Sequence, residues 1–357
     1  MLETDNSITF HGKTFRTSLR KNITDDEYKD IVKHLKSKPS WNDVHKNIKN
    51  LAKGGTSMSE VNNYFFKDLM YNVRNGQDAW SVNEAFGCKE VAEYFAAKVA
   101  VNEKVFPLKY GLSKNVESSL RLCGIRCCRK PSQFPLKTCH MILDEFLPDG
   151  GVWYDPCMGW GARMTAAWQK TVNGCDITYF GTDTNKALCE RLIEYVTSLC
   201  PVTDVTDKAF HFIIRHASST DLQEDWINKV DLCFTSPPYF NFEYYEGDDT
   251  SCKEDTTYED WKAGFLVPTI KNCYKYLKDN GVLAWNIKDI YTDKTWWPLV
   301  DDSIEIAKKC GFEYDGYRTL KNIKRAYGTR GLTEKTKTKG MNPNADEKIL
   351  IFKKRNP

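Results

Sequence analysis

Apolar residues recur at helical spacing along the first hundred positions of the chain. One series runs from Tyr28 to Leu35 and follows Thr24-Asp-Asp-Glu27, the spacing at which Thr and Glu side chains cap the first turn of a helix. The same spacing at 57–60 and 81–84 opens two more series, and another lies between Val44 and Leu51. With Pro39 and Gly54-Gly55 as breaks, the pattern predicts four helices in this region.

After about residue 130, short apolar runs alternate with amphipathic ones. The runs predict strands at 152–154, 177–180, 210–214, 230–234, 282–285 and 348–352. They predict helices after Leu136 and at 164–168, 187–196, 266–280 and 302–309. Because strands that alternate with helices form parallel sheets, the fold class is α/β, with a doubly wound, mostly parallel, Rossmann-like sheet. The domain prediction is a helical N-terminal region, 1–130, and an α/β domain, 131–357.

Composition and charge narrow the class of protein. The 357 residues carry 51 Lys and Arg against 48 Asp and Glu, a net charge of +3, and 41% are hydrophobic. A chain of this composition folds around a core, and any basic surface on it is local. No apolar run approaches the length of a membrane span, and the first residues lack the pattern of a secretory signal, so we expect a cytoplasmic protein with no membrane partner.

The 13 cysteines do not follow the spacing of a disulfide framework. The densest group comprises Cys123, Cys127, Cys128, Cys139 and His140, and it lacks the paired C-x2-C spacing of a zinc site. We therefore expect reduced thiols, most of them acting as small buried hydrophobic residues, and no metal site.

Polar residues and glycines stand where two of the predicted strands end. In doubly wound sheets, ligands bind beyond the carboxyl ends of the strands. Asp155-Pro156 leads into Gly159-Trp-Gly161, where glycines allow a tight turn and the following helix presents free N–H groups. Asp183 ends the next strand, where a carboxylate suits the hydroxyl pair of a ribose; the alternative is a helix N-cap, which Thr184 or Asn185 could equally supply.

The most specific motif is Thr235-Ser236-Pro237-Pro238-Tyr239 at the end of the strand at 230–234. Two consecutive prolines stiffen the turn and remove its N–H donors, so carbonyl oxygens are left to accept hydrogen bonds. Ser236 before them and Tyr239 after them form a slot for a flat amide or a nucleic-acid base, with stacking on the ring and acceptors for an exocyclic amino group.

In these motifs the sequence resembles the S-adenosylmethionine-dependent DNA amino-methyltransferases, which methylate cytosine N4 or adenine N6. The resemblance covers roughly residues 130–355 and includes Lys130-Pro-Ser-Gln-Phe134-Pro135, the glycine loop, the Thr-Ser-Pro-Pro-Tyr loop and Glu347-Lys-Ile-Leu-Ile-Phe-Lys353. It implies S-adenosylmethionine as cofactor, held by Phe134, Pro135, Asp155, Pro156, Gly159, Gly161, Asp183 and Thr235. It also implies catalysis by Ser236, Pro237, Pro238 and Tyr239 on a base turned out of the DNA duplex. Cys157 and Trp160 depart from the family pattern. These two departures imply that contacts to the methionine end of the cofactor differ from those of the family.

The resemblance favours cytosine N4 over adenine N6, because the serine form of the loop tends toward the cytosine enzymes. Three alternatives remain open: an adenine-N6 enzyme, an enzyme that acts on an RNA base or a protein glutamine, and a non-catalytic DNA-binding module. The resemblance also suggests that the protein acts in a bacterial or phage-infected cell. It leaves open whether a nuclease accompanies the enzyme, as in restriction-modification systems.

Target recognition has no room between the two loops, which lie about 75 residues apart. One candidate is the region 1–130, whose lysines fit either a helix-turn-helix DNA reader or a helical cap with a solvated face. A second candidate is the acidic loop after Tyr239, which fits a lid or a reader of base edges. A third is a basic segment with Lys321, Lys324, Arg325 and Arg330, which suits phosphate contact, or else forms a solvated loop.

Overall fold

The chain divides into two compact units in a computed structural model. The model describes residues 2–3, 7–17, 20–74, 79–101, 131–199, 209–245, 250–253, 255–292, 294–319, 344 and 346–355. The smaller unit comprises Met1–Trp41, Phe66–Ser132 and Glu243–Glu246, and the larger comprises Asn42–Phe65, Gln133–Phe242 and Gly247–Pro357.

The smaller unit contains short strands as well as helices. Its strands are β1 (Leu2–Glu3), β2 (Ile8–Phe10), β3 (Lys13–Phe15) and β4 (Arg20–Lys21), which pair β1 with β4 and β2 with β3. Its helices are α1 (Asp25–Lys36), α4 (Lys67–Met70), α5 (Val82–Ala85) and α6 (Lys89–Val101). The sequence predicts the helical character of this region but not these four strands, because strands of two or three residues are too short to show an alternating pattern.

The predicted caps of this unit are partly confirmed. Thr24 with Glu27, and Ser81 with Glu84, form complete capping boxes at α1 and α5. The single helix predicted from Ser81 onward is wrong in length, since α5 ends at Ala85 and α6 starts at Lys89. A glycine at position 87 lies in the turn that separates them.

Two helices from the first hundred residues lie mainly or wholly in the larger unit: α2 (Trp41–Ala52), from Asn42 onward, and α3 (Ser59–Phe65). The capping box predicted at 57–60 does not form. The side chain of Asn47, buried on α2, accepts from the Val61 N–H at 3.3 Å and donates to the Ser57 carbonyl at 2.8 Å. A residue of the neighbouring helix thus caps α3, which no local spacing could indicate.

A seven-stranded sheet forms the centre of the larger unit. Its strands are β5 (Gly150–Asp155), β6 (Asp176–Asp183), β7 (His211–His216), β8 (Val230–Thr235), β9 (Leu277–Ile287), β12 (Phe312–Thr319) and β13 (Lys348–Lys354). They lie in the order β12-β13-β9-β8-β5-β6-β7, with β13 antiparallel to both neighbours and the other pairings parallel. The predicted doubly wound, mostly parallel α/β sheet is confirmed, and its strand order reverses between β5 and β8.

Helices flank this sheet, and a small hairpin follows β9. The helices are α7 (Leu136–Phe146), α8 (Ala162–Val172), α9 (Lys186–Leu199), α10 (Tyr258–Trp261), α11 (Val267–Tyr276) and α12 (Leu299–Lys309), and the hairpin pairs β10 (Ile290–Thr292) with β11 (Thr295–Trp297). One π-helical turn, Lys262–Leu266, joins α10 to α11. The helix predicted to end near residue 280 stops at Tyr276, and Asn280, with φ of 64°, lies within β9.

Burial is deepest where the sheet meets α8. Five of the six residues of β8 are buried, in a nearly continuous apolar run of the kind that both faces of a central parallel strand require. Trp153 of β5 stacks on Phe234 of β8 with ring centroids 5.5 Å apart, and its indole N–H donates to the Phe234 carbonyl. Within the described part of the chain, every helix is too short or too polar to cross a bilayer.

Candidate active site

Three neighbouring strands bring the predicted polar residues to one edge of the sheet. Asp155 ends β5, Thr235 ends β8 on one side of it, and Asp183 ends β6 on the other. Because all three strands are parallel, their carboxyl ends meet at the point where the strand order reverses. The fold therefore places the three strand ends together, as the sequence predicts.

Asp155 is fully buried and accepts hydrogen bonds from several protein groups. Arg163 Nε donates to its Oδ2 at 2.7 Å, and Tyr179 OH donates to the same oxygen at 2.8 Å. Thr235 Oγ1 donates to its Oδ1 at 2.8 Å, and the Cys157 N–H donates there at 3.3 Å. This network joins β5, β6, β8 and α8 beneath the glycine loop. The side chains of Asp155 and Thr235 therefore hold the loop in place.

Arg163 is the cation of this network, and the sequence reasoning did not identify it. Its side chain is 5% exposed, and its guanidinium also donates to the Cys157 carbonyl. Burial lowers the pKa of Arg163, but the Asp155 carboxylate raises it by more, so the side chain stays charged. Arg163 therefore connects the start of α8 to the carboxylate below it and to the loop backbone above it.

The glycine loop has the backbone that its sequence predicts. Gly159 and Gly161 have φ of 54° and 76°, a left-handed conformation that glycine adopts without the cost of a Cβ. Gly161 is the N-cap of α8 and offers no side chain to the first turn, so free N–H groups remain at this helix end. The Pro156 carbonyl, also in this loop, accepts from Thr182 Oγ1 at 3.0 Å.

Asp183 lies beside this loop and does not cap the following helix. Its Oδ2 accepts from the Gly159 N–H at 3.3 Å and its Oδ1 from the Asn185 N–H at 3.1 Å. Asn185, one of the two alternatives for the cap, bonds the Leu188 N–H at 3.0 Å. Burial raises the pKa of Asp183 to about 6. Since a carboxylate accepts about four hydrogen bonds, the two lone pairs that remain fit the two hydroxyls of a ribose.

The segment before α7 closes onto the same loop. Gln133 Nε2 donates to the Trp160 carbonyl at 2.8 Å, a contact that the sequence reasoning missed. The Phe134 ring lies 5.8 Å from the Phe234 ring and 5.3 Å from the Arg163 guanidinium, and Pro135 is the N-cap of α7. Phe134 thus lies beside Arg163, which contacts the glycine loop, and Pro135 follows it at the start of α7.

The loop after β8 brings two hydroxyl groups together. Ser236 Oγ lies 3.5 Å from Tyr239 OH, and the side chain of Asn286, at the end of β9, contacts both. Asn286 Nδ2 donates to Ser236 Oγ at 3.0 Å and to Tyr239 OH at 2.8 Å. Lys288 Nζ lies 5.7 Å from the centre of the Tyr239 ring. Pro237 and Pro238 stand between the two hydroxyl residues and give the turn its stiffness.

Phe240, immediately after Tyr239, has φ of 37°, which is a strained conformation for a bulky residue. Its side chain is buried among Tyr258, Trp261 and Trp297, with ring centroids 5.1–5.9 Å away. Trp297, on the β10–β11 hairpin, donates through its indole N–H to Thr292 Oγ1, which in turn bonds Asn241. Aromatic packing therefore holds the strained turn and fixes the direction of Tyr239.

Two groups of predicted residues are not placed at this site. Lys321, Lys324, Arg325 and Arg330 lie outside the described residues, as do Cys123, Cys127 and Cys128. Cys139, on α7, is fully buried, where burial raises the pKa of its thiol. Among the residues that the structure describes, no three His, Cys, Asp or Glu side chains are arranged to hold a metal ion.

Comparison with known proteins adds one family. Residues 230–357, which begin with β8 and contain the Ser236–Tyr239 turn, match the model of a DNA methylase family. No curated protein matches the chain. The match covers just over a third of the chain and places β8, β9 and the strands beyond them within the matched region.

Solved methyltransferase structures resemble the chain only distantly. A TehB-like S-adenosylmethionine-dependent methyltransferase of Corynebacterium glutamicum is 12% identical with a TM-score of 0.35, and the likeness covers 69% of this chain and 100% of that one. A class I S-adenosylmethionine-dependent methyltransferase of Listeria monocytogenes is 14% identical with a TM-score of 0.40, covering 93% and 89%. The DNA methylase match, together with a ribose-compatible carboxylate beside a glycine loop, supports a methyltransferase with S-adenosylmethionine as its cofactor.

Proposed function

We propose that this chain transfers a methyl group from S-adenosylmethionine to the exocyclic amino group of a DNA base, with cytosine N4 as the target atom. The observation behind the proposal is the placement of Ser236 and of the Tyr239 ring side by side, with their hydroxyls 3.5 Å apart and both bonded to the Asn286 amide. They lie at the end of β8, next to the glycine loop at the end of β5. The DNA methylase match includes this turn and supports DNA as the acceptor.

The residues of the turn make an amino group more reactive. The nitrogen is a poor nucleophile while its lone pair is delocalised into the ring of the base. Ser236 Oγ accepts one bond from Asn286 and retains a lone pair, which can accept one hydrogen of the amino group. The Pro237 carbonyl accepts the other hydrogen. Both acceptors draw the nitrogen toward tetrahedral geometry and localise its lone pair, and the ring of Tyr239 fixes the plane of the base.

The cofactor supplies a methyl group bonded to a positively charged sulfur. When bound, it would give this methyl group to the nitrogen and would leave as a neutral thioether that keeps the electron pair of the broken carbon–sulfur bond. The methylated nitrogen then releases one proton to solvent, because the Ser236 hydroxyl is far too weak a base near neutral pH to take it. On the protein side, Asp183 binds the ribose, and the N–H groups at the start of α8 receive the cofactor carboxylate.

The choice of cytosine N4 rests on the resemblance, in which a serine before the two prolines favours the cytosine enzymes. Adenine N6 presents the same amino group beside a ring nitrogen, so the same acceptors serve it. An RNA base or a glutamine amide is also planar and fits the slot. These alternatives differ in their methylated product and are separated by identifying it.

Substitution of Tyr239 tests the proposed role of its ring. Tyr239→Ala removes the stacking surface, and we expect the rate of methyl transfer to mixed-sequence DNA to fall about 10- to 100-fold, since a base stacked on an aromatic ring gains roughly 1–3 kcal/mol. Tyr239→Phe is the matched control, because it keeps the ring and loses only the hydroxyl, with its contacts to Asn286 and Ser236. We expect this variant to retain most of the activity.

Calorimetric titration with S-adenosylmethionine gives the second measurement. The proposal expects both Tyr239 variants to bind the cofactor with nearly unchanged affinity. A parallel loss of cofactor binding and transfer in Tyr239→Ala would mean that the ring is structural. Equal activity of the alanine and phenylalanine variants would rule out base stacking at this position.

A further inference from the structure

Asn286 occupies a position that no part of the sequence reasoning assigned. It is the next-to-last residue of β9, the strand paired with β8, and its side chain is 1% exposed. One amide nitrogen supplies hydrogen bonds to Ser236 and to Tyr239, and the Asn286 main-chain carbonyl lies 3.3 Å from Tyr239 OH. The two hydrogens of the Asn286 amide are therefore fully used by the two hydroxyl residues of the turn.

The other end of this amide is left without a partner. Among the described residues, Asn286 Oδ1 is buried and accepts no hydrogen bond, and it is the only acceptor in that condition; the remaining buried unpaired side-chain groups are indole N–H donors. Buried acceptors in native proteins are nearly always bonded, and an unpaired one carries a desolvation cost. An unpaired acceptor in a side chain that touches both hydroxyls of the turn fits a group that receives its donor from the substrate.

We propose that Asn286 Oδ1 accepts a hydrogen of the target amino group, beside Ser236 Oγ and the Pro237 carbonyl. This inference rests on the proposed function and adds a substrate-contacting residue to it. The amide then has two roles: its nitrogen orients Ser236 and Tyr239, and its oxygen, which is closed to solvent without substrate, accepts from the nitrogen that is methylated once the base has entered. The hydrogens of that nitrogen become more acidic as positive charge develops on it, so the contact strengthens during transfer and acts on kcat.

Two substitutions separate these roles. Asn286→Ala removes the donor and the acceptor, whereas Asn286→Asp keeps acceptor oxygens in the same place and removes the N–H groups. We expect Asn286→Ala to lower kcat for methyl transfer to mixed-sequence DNA about 10- to 100-fold. We expect Asn286→Asp to retain activity within about tenfold of the unsubstituted protein, and to gain activity with rising pH as its carboxyl ionises and becomes the stronger acceptor.

Cofactor affinity of each variant is measured alongside and should stay close to that of the unsubstituted protein, and thermal unfolding is measured to show that each variant remains folded. If Asn286→Asp is as inactive as Asn286→Ala at every pH, only the donor half of the amide matters and the inference is wrong. It is also wrong if Asn286→Ala keeps full activity, or if it loses cofactor binding to the same extent as transfer. Failure of the proposed function itself gives a different result, because the unsubstituted protein would then not methylate DNA at all.

Discussion

At the scale of single residues, the site is built from carboxylates with different tasks. Asp155 accepts from Arg163, Tyr179, Thr235 and the loop backbone, so its oxygens are occupied by the protein. Asp183 accepts only main-chain N–H groups in the described structure and keeps capacity for a ligand. We propose that Asp155 acts on the cofactor through the shape of the glycine loop, and that Asp183 binds it directly.

The raised pKa of Asp183 predicts that cofactor binding depends on pH. Burial favours the protonated form and raises the pKa to about 6, whereas ribose hydroxyls donate to the ionised form. Affinity for S-adenosylmethionine should therefore be constant above about pH 7 and weaken below pH 6, approaching about tenfold per pH unit. Calorimetric titrations from pH 5 to 8 measure this dependence.

The matched control for this prediction is Asp183→Asn, which cannot titrate. Its affinity should be lower at neutral pH and flat across the range in which the unsubstituted protein changes. If the two proteins show the same pH profile, the titrating group is not Asp183, and a flat profile in the unsubstituted protein would exclude a ribose-binding carboxylate with this pKa.

At the scale of elements, identical sequence spacings lead to different structures. Thr24 and Ser57 each precede a glutamate by three residues, but only Thr24 forms the capping box. We expect Thr24→Ala to destabilise α1 by about 1 kcal/mol, because an N-cap hydroxyl satisfies a free N–H of the first turn. Ser57→Ala should change the stability of α3 by less than about 0.5 kcal/mol.

Hydrogen exchange of peptides that cover Asp25–Lys36 and Ser59–Phe65 measures both effects in the same protein. Faster exchange in α1 of Thr24→Ala, with unchanged exchange in α3 of Ser57→Ala, is the expected result. A larger effect of Ser57→Ala than of Thr24→Ala would contradict the observed capping.

Elements with a clear period and a marked end were predictable from the sequence. The core strands β5, β6 and β8 were located because each is an apolar run that stops at a polar residue, and that pattern also located Asp155, Asp183 and Thr235. Asn286 follows the apolar run 282–285 in the same way, so its place at this edge of the sheet is predictable from the same pattern. The strand β12 was missed although its burial alternates along its length.

The rest of the site depends on tertiary contacts that leave no local pattern. Arg163 is one of two charged residues in the buried helix α8, and its partner is eight residues earlier on a strand. Phe240 has a positive φ that its own sequence does not favour, and residues from 258 to 297 supply the packing that holds it. Such contacts become visible only when the strands and loops are placed together.

Across the whole molecule, the near-neutral net charge conceals a segment that is locally basic. The basic residues Lys321, Lys324, Arg325 and Arg330 lie outside the described structure, and we retain them as a proposed phosphate-contacting segment. The two compact units divide the chain differently from the sequence-based boundary at 130, since Asn42–Phe65 belongs to the larger unit and Glu243–Glu246 to the smaller. The methyltransferase site described above lies within the larger unit.

The proposed reaction of this site is methylation of an amino group of a DNA base. The most direct measurement incubates the purified chain with isotopically labelled S-adenosylmethionine and with DNA, RNA and protein acceptors, and identifies the labelled product by mass spectrometry of nucleosides and amino acids. We predict labelled N4-methylcytosine from DNA. Labelled N6-methyladenine from DNA would contradict the choice of base, and label in RNA or glutamine alone, or in no acceptor, would contradict the proposed function.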